Sequence, residues 1–301
     1  MASVNWDLHV QSDRIQIAKV SNFRFSSSKA DPSHRYLLGK DIWSESISPF
    51  YKQVAAALHP THIIDIGANY GATAVIAHSY MNDPFVVCVE PTPFLEEFIN
   101  YNLVLNKVTK FLVLQAVCDK HDVERSLFKL NPHGTLDNRA AGGGDHWSAV
   151  DVPCVSLAST IQPYINTTSR FYIKIDVQGY EPNVIDIDFF AGLKNPWLLK
   201  IEFAPKWIEE AGFKPKDFLS ELCSQFFVCQ NPAIYGFKDH FLSLLINSRI
   251  TASDACSFTD YVASHNRDQR GWCDLLIAPS DFGKSFDFSQ YSTFASNANI
   301  T

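Results

Sequence analysis

Four acidic positions and one glycine pair have the types and spacing to do chemistry together. Ile63-Ile-Asp-Ile-Gly-Ala-Asn-Tyr-Gly71 is an apolar run that ends at Asp65 and Gly67, turns, and gives way to a second apolar run, Ala72 to Ala77. Read as strand, tight loop and helix, this stretch is a nucleotide cradle. Gly67 and Gly71 lack the Cβ atoms that would block a sharp turn or a ligand approaching the backbone, and the helix start offers free N–H groups. The next apolar run, Phe85 to Val89, closes on Glu90, nineteen residues beyond Gly71. A carboxylate in that place accepts hydrogen bonds from ribose hydroxyls. Two later runs, Phe171 to Val177 and Trp197 to Phe203, carry Asp176 and Glu202 near their ends.

Spacing narrows the ligand. A dinucleotide fingerprint requires G-x-G-x-x-G, and here Asn69 stands where the middle glycine would let a pyrophosphate approach. A nucleoside without phosphates tolerates Asn69, and Asp65 suits an ammonium group. S-adenosylmethionine meets both conditions.

In an open α/β sheet the strand ends face the ligand crevice, which puts Asp176, Glu181 and Glu202 on the cofactor side. Methyl transfer from a sulfonium needs an acceptor held in line and relieved of its proton. Asp176 is the first candidate for that base, with Glu181 and Glu202 as positioning or auxiliary acids and His146 as a loop-borne alternative. Each has an ordinary structural reading: Asp176 capping the turn before Gly179, Glu181 starting a helix at Pro182, Glu202 holding a loop. The acids are too scattered to define a metal site, and none is assigned.

The elements that position these residues follow from apolar periodicity. A helix is expected from Ile47 to Leu58, ended by His59-Pro60, and strands over Ile63–Ile66, Phe85–Val89 and Phe111–Val117. Between the last two, Pro91-Thr-Pro93 starts a helix with Phe94, Phe98, Tyr101 and Leu105 on its sheet-facing side. Strand-like pieces at 125–130 and 150–155 form an insertion over about 121–155. Its Gly142-Gly-Gly144 triplet with Asp145, His146 and Trp147 reads equally as a substrate-covering loop or a solvated hairpin end. Parallel strands resume at Phe171 and Trp197, followed by a helix near 215–223, a strand at 226–229, a helix at Leu242–Ile246 and a closing strand at 274–278. The fold expected is an α/β, Rossmann-like sheet of seven strands with helices on both faces. Residues 1–48 are taken as an N-terminal cap whose role is packing ahead of lid or partner contact, and 49–301 as one catalytic domain. Trp147 and Trp207 are the aromatic candidates for the acceptor pocket.

Composition excludes several classes. The 301 residues are 46% hydrophobic and 19% charged, which is globular, and the net charge of −7 with no basic run leaves no electrostatic footprint for nucleic acid. No apolar run approaches a membrane span and no cationic leader precedes one, so a soluble cytoplasmic protein is expected. Seven cysteines without a C-x-x-C pair give neither a disulfide framework nor a zinc knuckle. The sequence leaves the oligomeric state open, a homodimer included.

Three pieces together resemble the FkbM-type methyltransferases of the seven-stranded S-adenosylmethionine-dependent class. They are Ile64-Asp-Ile-Gly-Ala-Asn-Tyr-Gly71, Val89-Glu-Pro-Thr-Pro93 with Asn102 and Asn106 beyond it, and Ile173-Lys-Ile-Asp-Val-Gln-Gly-Tyr-Glu181. The resemblance implies six parallel strands and one antiparallel, and methyl transfer to a hydroxyl of a sugar, glycan or small metabolite. It places Asp65, Gly67, Ala68, Asn69 and Gly71 at the methionine end of the cofactor, Glu90 and Pro91 at the ribose, and Val117 and Cys118 at the adenine, with Asp176 beside the cofactor. The chain departs from the family pattern at Gln178, normally a glutamate, and at Leu157-Ala158, commonly Leu-Asp. Rival readings are N-methylation of an amide or amine, a non-catalytic nucleoside-binding module, and a nicotinamide-dependent dehydrogenase, the last disfavoured by Asn69.

Overall fold

A computed structural model describes residues 15–20, 22–33, 48–230, 249–264 and 271–283. Strands β1 (Ile15–Val20) and β2 (Phe23–Ser28) pair as an antiparallel hairpin, and helix α1 (Ser48–Leu58) leads into β3 (His62–Ile66). Strand and helix then alternate through α2 (Ala72–Ser79), β4 (Phe85–Val89), α3 (Leu95–Leu105) and β5 (Phe111–Leu114). An insertion follows: β6 (Val117–Asp119), β7 (Arg125–Leu130) and β8 (Ser148–Ser156) make a separate three-stranded sheet. The alternation resumes with α4 (Leu157–Ile161), β9 (Phe171–Ile175), α5 (Glu181–Val184), α6 (Ile187–Gly192), β10 (Trp197–Phe203), α7 (Pro205–Glu210) and α8 (Pro215–Gln225). It ends with β11 (Phe227–Gln230), α9 (Ala255–Ser264), β12 (Cys273–Ala278) and α10 (Ser280–Gly283). The Leu242–Ile246 helix expected from periodicity lies outside the described residues.

The main sheet has the order β11-β12-β10-β9-β3-β4-β5. Among the described strands of this sheet, β12 alone runs opposite to the other six. Strand order reverses between β3 and β9, and a crevice opens outside the carboxyl ends of strands at such a switch point.

Strands buried on both faces must be apolar on both, and successive residues enter opposite cores. Ile63, Tyr172 and Leu198 pack with α1, α2 and α3, while Ile64, Ile173 and Leu199 pack with α5, α6 and α8. The first face changes character toward the carboxyl edge. Asp65, Lys174, Lys200 and Leu276 are in register across it, and one step further lie Asp176, Glu202 and Asp274.

Two expectations are corrected. The third strand stops at Leu114 rather than Val117, because the chain turns at 115–116 and Val117 pairs with Cys154 in the insertion sheet. In α3 the buried side is Leu95, Phe98, Ile99, Asn102 and Leu103, with Tyr101 48% exposed. Phe94 is left-handed (φ 68) and precedes the helix, so counting from it selects the wrong stripe.

Asn102 and Asn106 explain why amides stand on α3. Asn102 Oδ1 accepts from the Ser26 N–H (2.6 Å) and hydroxyl (2.8 Å), and its Nδ2 donates to the carbonyls of Ser26 (3.1 Å) and Tyr70 (2.9 Å). Asn106 makes the same two-way contact with the Arg24 backbone. These side chains supply the edge of β2 with the partners a neighbouring strand would give. Asn102→Ala leaves these buried groups unpaired and is expected to destabilise the fold by on the order of 3 kcal/mol in urea unfolding. A loss under about 0.5 kcal/mol would show that the amide does not hold the hairpin.

Candidate active site

A cavity of about 360 Å³ opens at the carboxyl ends of β3, β4, β9 and β10, within the size range of small-ligand sites. The loop after β3 builds one wall. Gly67 (φ 74), Asn69 (φ 50) and Gly71 (φ 76) are all left-handed. Gly67 has a second reason to lack a side chain, since a Cβ there would lie 1.9 Å from the Asp176 carbonyl oxygen. Asn69 is among the few residues that tolerate this conformation, and its Nδ2 donates to the Thr135 carbonyl (3.3 Å) and hydroxyl (3.1 Å). Glu90 lies across the loop with both carboxylate oxygens used, Oε2 by the Asn69 N–H (2.8 Å) and Oε1 by the Thr92 N–H (2.9 Å). A carboxylate oxygen accepts more than one hydrogen bond, so the pair retains capacity for two vicinal hydroxyls.

Beyond Glu90 and Pro91 the wall is apolar, formed by Ala116, Val117, Cys118 and Phe128. The N-terminal segment reaches this far, because Asp31 accepts from the Tyr70 hydroxyl (2.8 Å) and the Thr135 hydroxyl (2.7 Å). Ser33, Thr135 and Asn138 therefore join the lining. Packing was the expected role of residues 1–48; the described part of that segment also supplies cavity wall.

The opposite wall is ionic. Lys174 Nζ lies 3.4 Å from Asp65 and 3.3 Å from Asp176, and Lys200 Nζ lies 2.7 Å from Asp274. Gln178 Nε2 donates to Asp176 Oδ1 (2.9 Å) and Glu202 Oε2 (3.1 Å). Burial opposes the Asp176 charge, but Lys174, Lys200 and Gln178 outweigh it and hold this carboxyl below its ordinary range. Glu202 is pushed the other way by burial and by the charges of Asp176, Glu181 and Asp274, and stays well above it. For Lys174, burial works against the ammonium, and Asp176 and Asp65 more than compensate.

Gly67, Ala68, Asn69, Glu90, Pro91, Val117, Cys118, Asp176 and Glu202 share the cavity wall. Four candidates lie elsewhere. Asp65 is fully buried beneath the wall, where burial raises its carboxyl pKa against the pull of Lys174. It faces the ion-paired lysine rather than the cavity because its register position is one layer below the strand end. Gly71 stands behind the loop at the start of α2. Glu181 is turned into the core, where Oε1 accepts from the Val177 N–H (3.0 Å), and burial raises its pKa to about 8. His146 is exposed on the glycine loop, which docks on α7 instead of covering the cavity. Arg139 carries that docking: it pairs with Glu210 (2.9 Å) and lies over the rings of Trp147 (5.9 Å) and Trp207 (5.0 Å). Both tryptophans are thus engaged in the latch and absent from the lining, where Trp272 stands with Phe50 and Tyr51.

Lys174, Lys200 and Asp274 are wall residues that motif reasoning passed over. Their signal is a charged residue inside an otherwise apolar buried strand, as in Ile173-Lys-Ile175 and Leu199-Lys-Ile201. Among the described residues no group of three or more His, Cys, Asp or Glu side chains is arranged to hold a metal ion. No described helix is long and apolar enough to cross a membrane.

A glycine loop, an acid closing the next strand and an acid at the switch point thus line one crevice at the carboxyl edge of a Rossmann-like sheet. The methyltransferase FkbM domain matches residues 65–229 by sequence, and the chain belongs to that family. A search of curated proteins found no match. Among solved structures, precorrin-6y C5,15-methyltransferase from Geobacter metallireducens is similar at 10% identity and TM-score 0.38, over 80% of this chain and 92% of that one. M. jannaschii TYW2, solved with AdoMet, gives 14%, 0.36, 88% and 85%. The plantazolicin methyltransferase BamL, solved with a triazolic desmethylPZN analog and SAH, gives 12%, 0.41, 82% and 89%. These likenesses are too loose to transfer a ligand.

Glu181 carries a pH signature. Its folded pKa of about 8 stands above the ordinary 4.5, so the folded chain keeps a proton that the unfolded chain releases. The contribution is complete below about pH 4.5 and is lost as pH rises to about 8, at a limiting slope of about 1.4 kcal/mol per unit. Glu181→Gln should flatten that decline in thermal unfolding followed from pH 5 to pH 8. Parallel pH profiles for variant and wild type would refute the assignment.

Proposed function

We propose that the chain is an S-adenosylmethionine-dependent O-methyltransferase acting on a hydroxyl of a sugar, glycan or small metabolite. The observation that carries this reading is that Asp176, its carboxyl held below its ordinary range by Lys174 and Lys200, lines the same cavity as the Gly67 loop and Glu90.

The residues fit that cofactor better than a dinucleotide. Lys174 and Lys200 are the cationic side chains on the described wall, and both are committed to carboxylates, so neither is free for a pyrophosphate. Asn69 is tied to Thr135 at the position where a pyrophosphate site needs glycine. In this reading Glu90 receives the ribose hydroxyls, the Ala116–Cys118 slot receives adenine, and the strand ends at Gly67 and Asp176 hold the methionine end.

The cofactor supplies an electrophilic methyl group. With that group bound, Gly67 and Asp176 would flank it, and Asp176 would take the proton of the acceptor hydroxyl. Gly67, Asp176 and Glu202 bring acceptor and methyl group together, and positioning supplies most of the acceleration. Trp272, Phe50 and Tyr51 are the apolar surfaces offered to the acceptor. The acceptor is taken to be a small molecule or glycan and not nucleic acid, given the charge of −7. Residues 49–301 are read as one methyltransferase domain. A cytoplasmic location is supported by seven cysteines that are all unpaired thiols.

Calorimetry with S-adenosylhomocysteine, with NAD as control, tests the cofactor. Glu90→Ala should weaken S-adenosylhomocysteine roughly tenfold to a hundredfold. Binding of NAD in preference would overturn the reading. With an acceptor found by product mass from a glycoside and amine panel, Asp176→Asn should lower kcat about 10²- to 10⁴-fold at saturating cofactor. An unchanged kcat would remove Asp176 as the base, and products from amines alone would make the reaction N-methylation.

A further inference from the structure

Gln178 stands where the family pattern carries a glutamate, and its surroundings give the amide a use that a carboxylate lacks. The residue is left-handed (φ 57), in a turn closed by Gly179 (φ 96). Gly179 is pressed on α7, where an added Cβ would lie 2.4 Å from the Trp207 carbonyl carbon. From this turn the side chain reaches back over the ends of β9 and β10. There its nitrogen meets two carboxyls, Asp176 at 2.9 Å and Glu202 at 3.1 Å. An amide nitrogen has two hydrogens, one for each acid, and the reverse amide orientation would set its oxygen against the Asp176 carboxylate. The second Asp176 oxygen takes Lys174 at 3.3 Å, whereas Lys200 is engaged by Asp274 at 2.7 Å.

We infer that Gln178 is a positioning residue that holds Asp176 and Glu202 at fixed separation in unlike protonation states, Asp176 as the ionised proton acceptor and Glu202 as a neutral carboxyl. The inference rests on the methyltransferase reading and deepens it. Two carboxyls bridged by one nitrogen do not ionise together without a cation for each. The lysine goes to Asp176, so the proton goes to Glu202. The other titratable groups bearing on the pair are Asp65 on β3, Lys200 on β10, Glu181 on α5, and Cys273 and Asp274 on β12. All are present in wild type and variants alike, so a change at Gln178 isolates the amide. A glutamate at this position would place three acids together, and the added charge would raise the pH at which Asp176 ionises. Alanine would remove the donor without adding charge, and would move Asp176 less, in the same direction.

The test is a ¹³C NMR titration of protein labelled at the Asp and Glu carboxyl carbons and saturated with S-adenosylhomocysteine. Wild type, Gln178→Glu and Gln178→Ala are compared, with Asp176→Asn and Glu202→Gln assigning the two signals. Glu202 should remain protonated at pH 7 in wild type. The Asp176 midpoint should rise by about one unit or more in Gln178→Glu and by a smaller step in Gln178→Ala. With an acceptor in hand, the acid limb of the kcat profile should move by the same amounts. Equal Asp176 midpoints in all three proteins, or an ionised Glu202 at pH 7, would overturn the inference. If Gln178→Glu does not fold, Gln178→Ala decides alone. If wild type does not bind S-adenosylhomocysteine, the methyltransferase reading fails, and the titration of unliganded protein still decides the state of the pair.

Discussion

The structure depends on one close approach. Gly67 ends β3 against the Asp176 carbonyl at the end of the neighbouring strand β9, leaving no room for a Cβ. Because these ends meet, the loop after β3 must turn at once, and it does so through three left-handed residues in five. That turn delivers the Asn69 N–H to Glu90 and the Asn69 side chain to Thr135, joining the main sheet to the insertion. The same contact sets Asp176 at the mouth of the cavity beside the loop. One backbone constraint thus fixes both halves of the site.

Beneath it lies a second constraint, the cost of burying charge. Isolated, any of Asp65, Lys174, Asp176 or Lys200 would be expensive inside a sheet, and such groups persist only when paired. Register supplies the pairs: Asp65, Lys174 and Lys200 occupy one level of three adjacent strands, with Asp176, Glu202 and Asp274 a level above. Acids outnumber lysines in this lattice, and burial with the charges of Asp176, Glu181 and Asp274 pushes the Glu202 carboxyl well above its ordinary range. A lattice with two more acids than lysines is poised to accept or release a proton at its edge, which is where the cavity opens.

Much of this was legible in the sequence, for reasons that differ by residue. Alternating apolar runs gave the seven strands, since a doubly covered sheet leaves a continuous apolar signature. The place of Glu90, Asp176 and Glu202 in the cavity lining was legible because strand ends face the crevice in any sheet of this class. Asp65 and Glu181 were placed one layer too high, as periodicity locates a strand but not the level at which its last residues clear the core. Asp31, Ser33 and Thr135 carried no signal, because their meeting spans about a hundred residues of chain and depends on the Asn102 and Asn106 clamps. Trp147 and Trp207 were read as pocket aromatics from their neighbourhood in sequence, whereas Arg139 draws both into a latch between the insertion and α7.

The most direct measurement is hydrogen–deuterium exchange with and without saturating S-adenosylhomocysteine. If the crevice at the β3 and β9 ends holds the nucleoside, protection should appear in peptides covering 66–71, 89–92 and 116–118, with none at 123–127 on the exposed edge of the insertion. Protection confined to other segments, or none at concentrations where calorimetry shows binding, would contradict the assignment of the site.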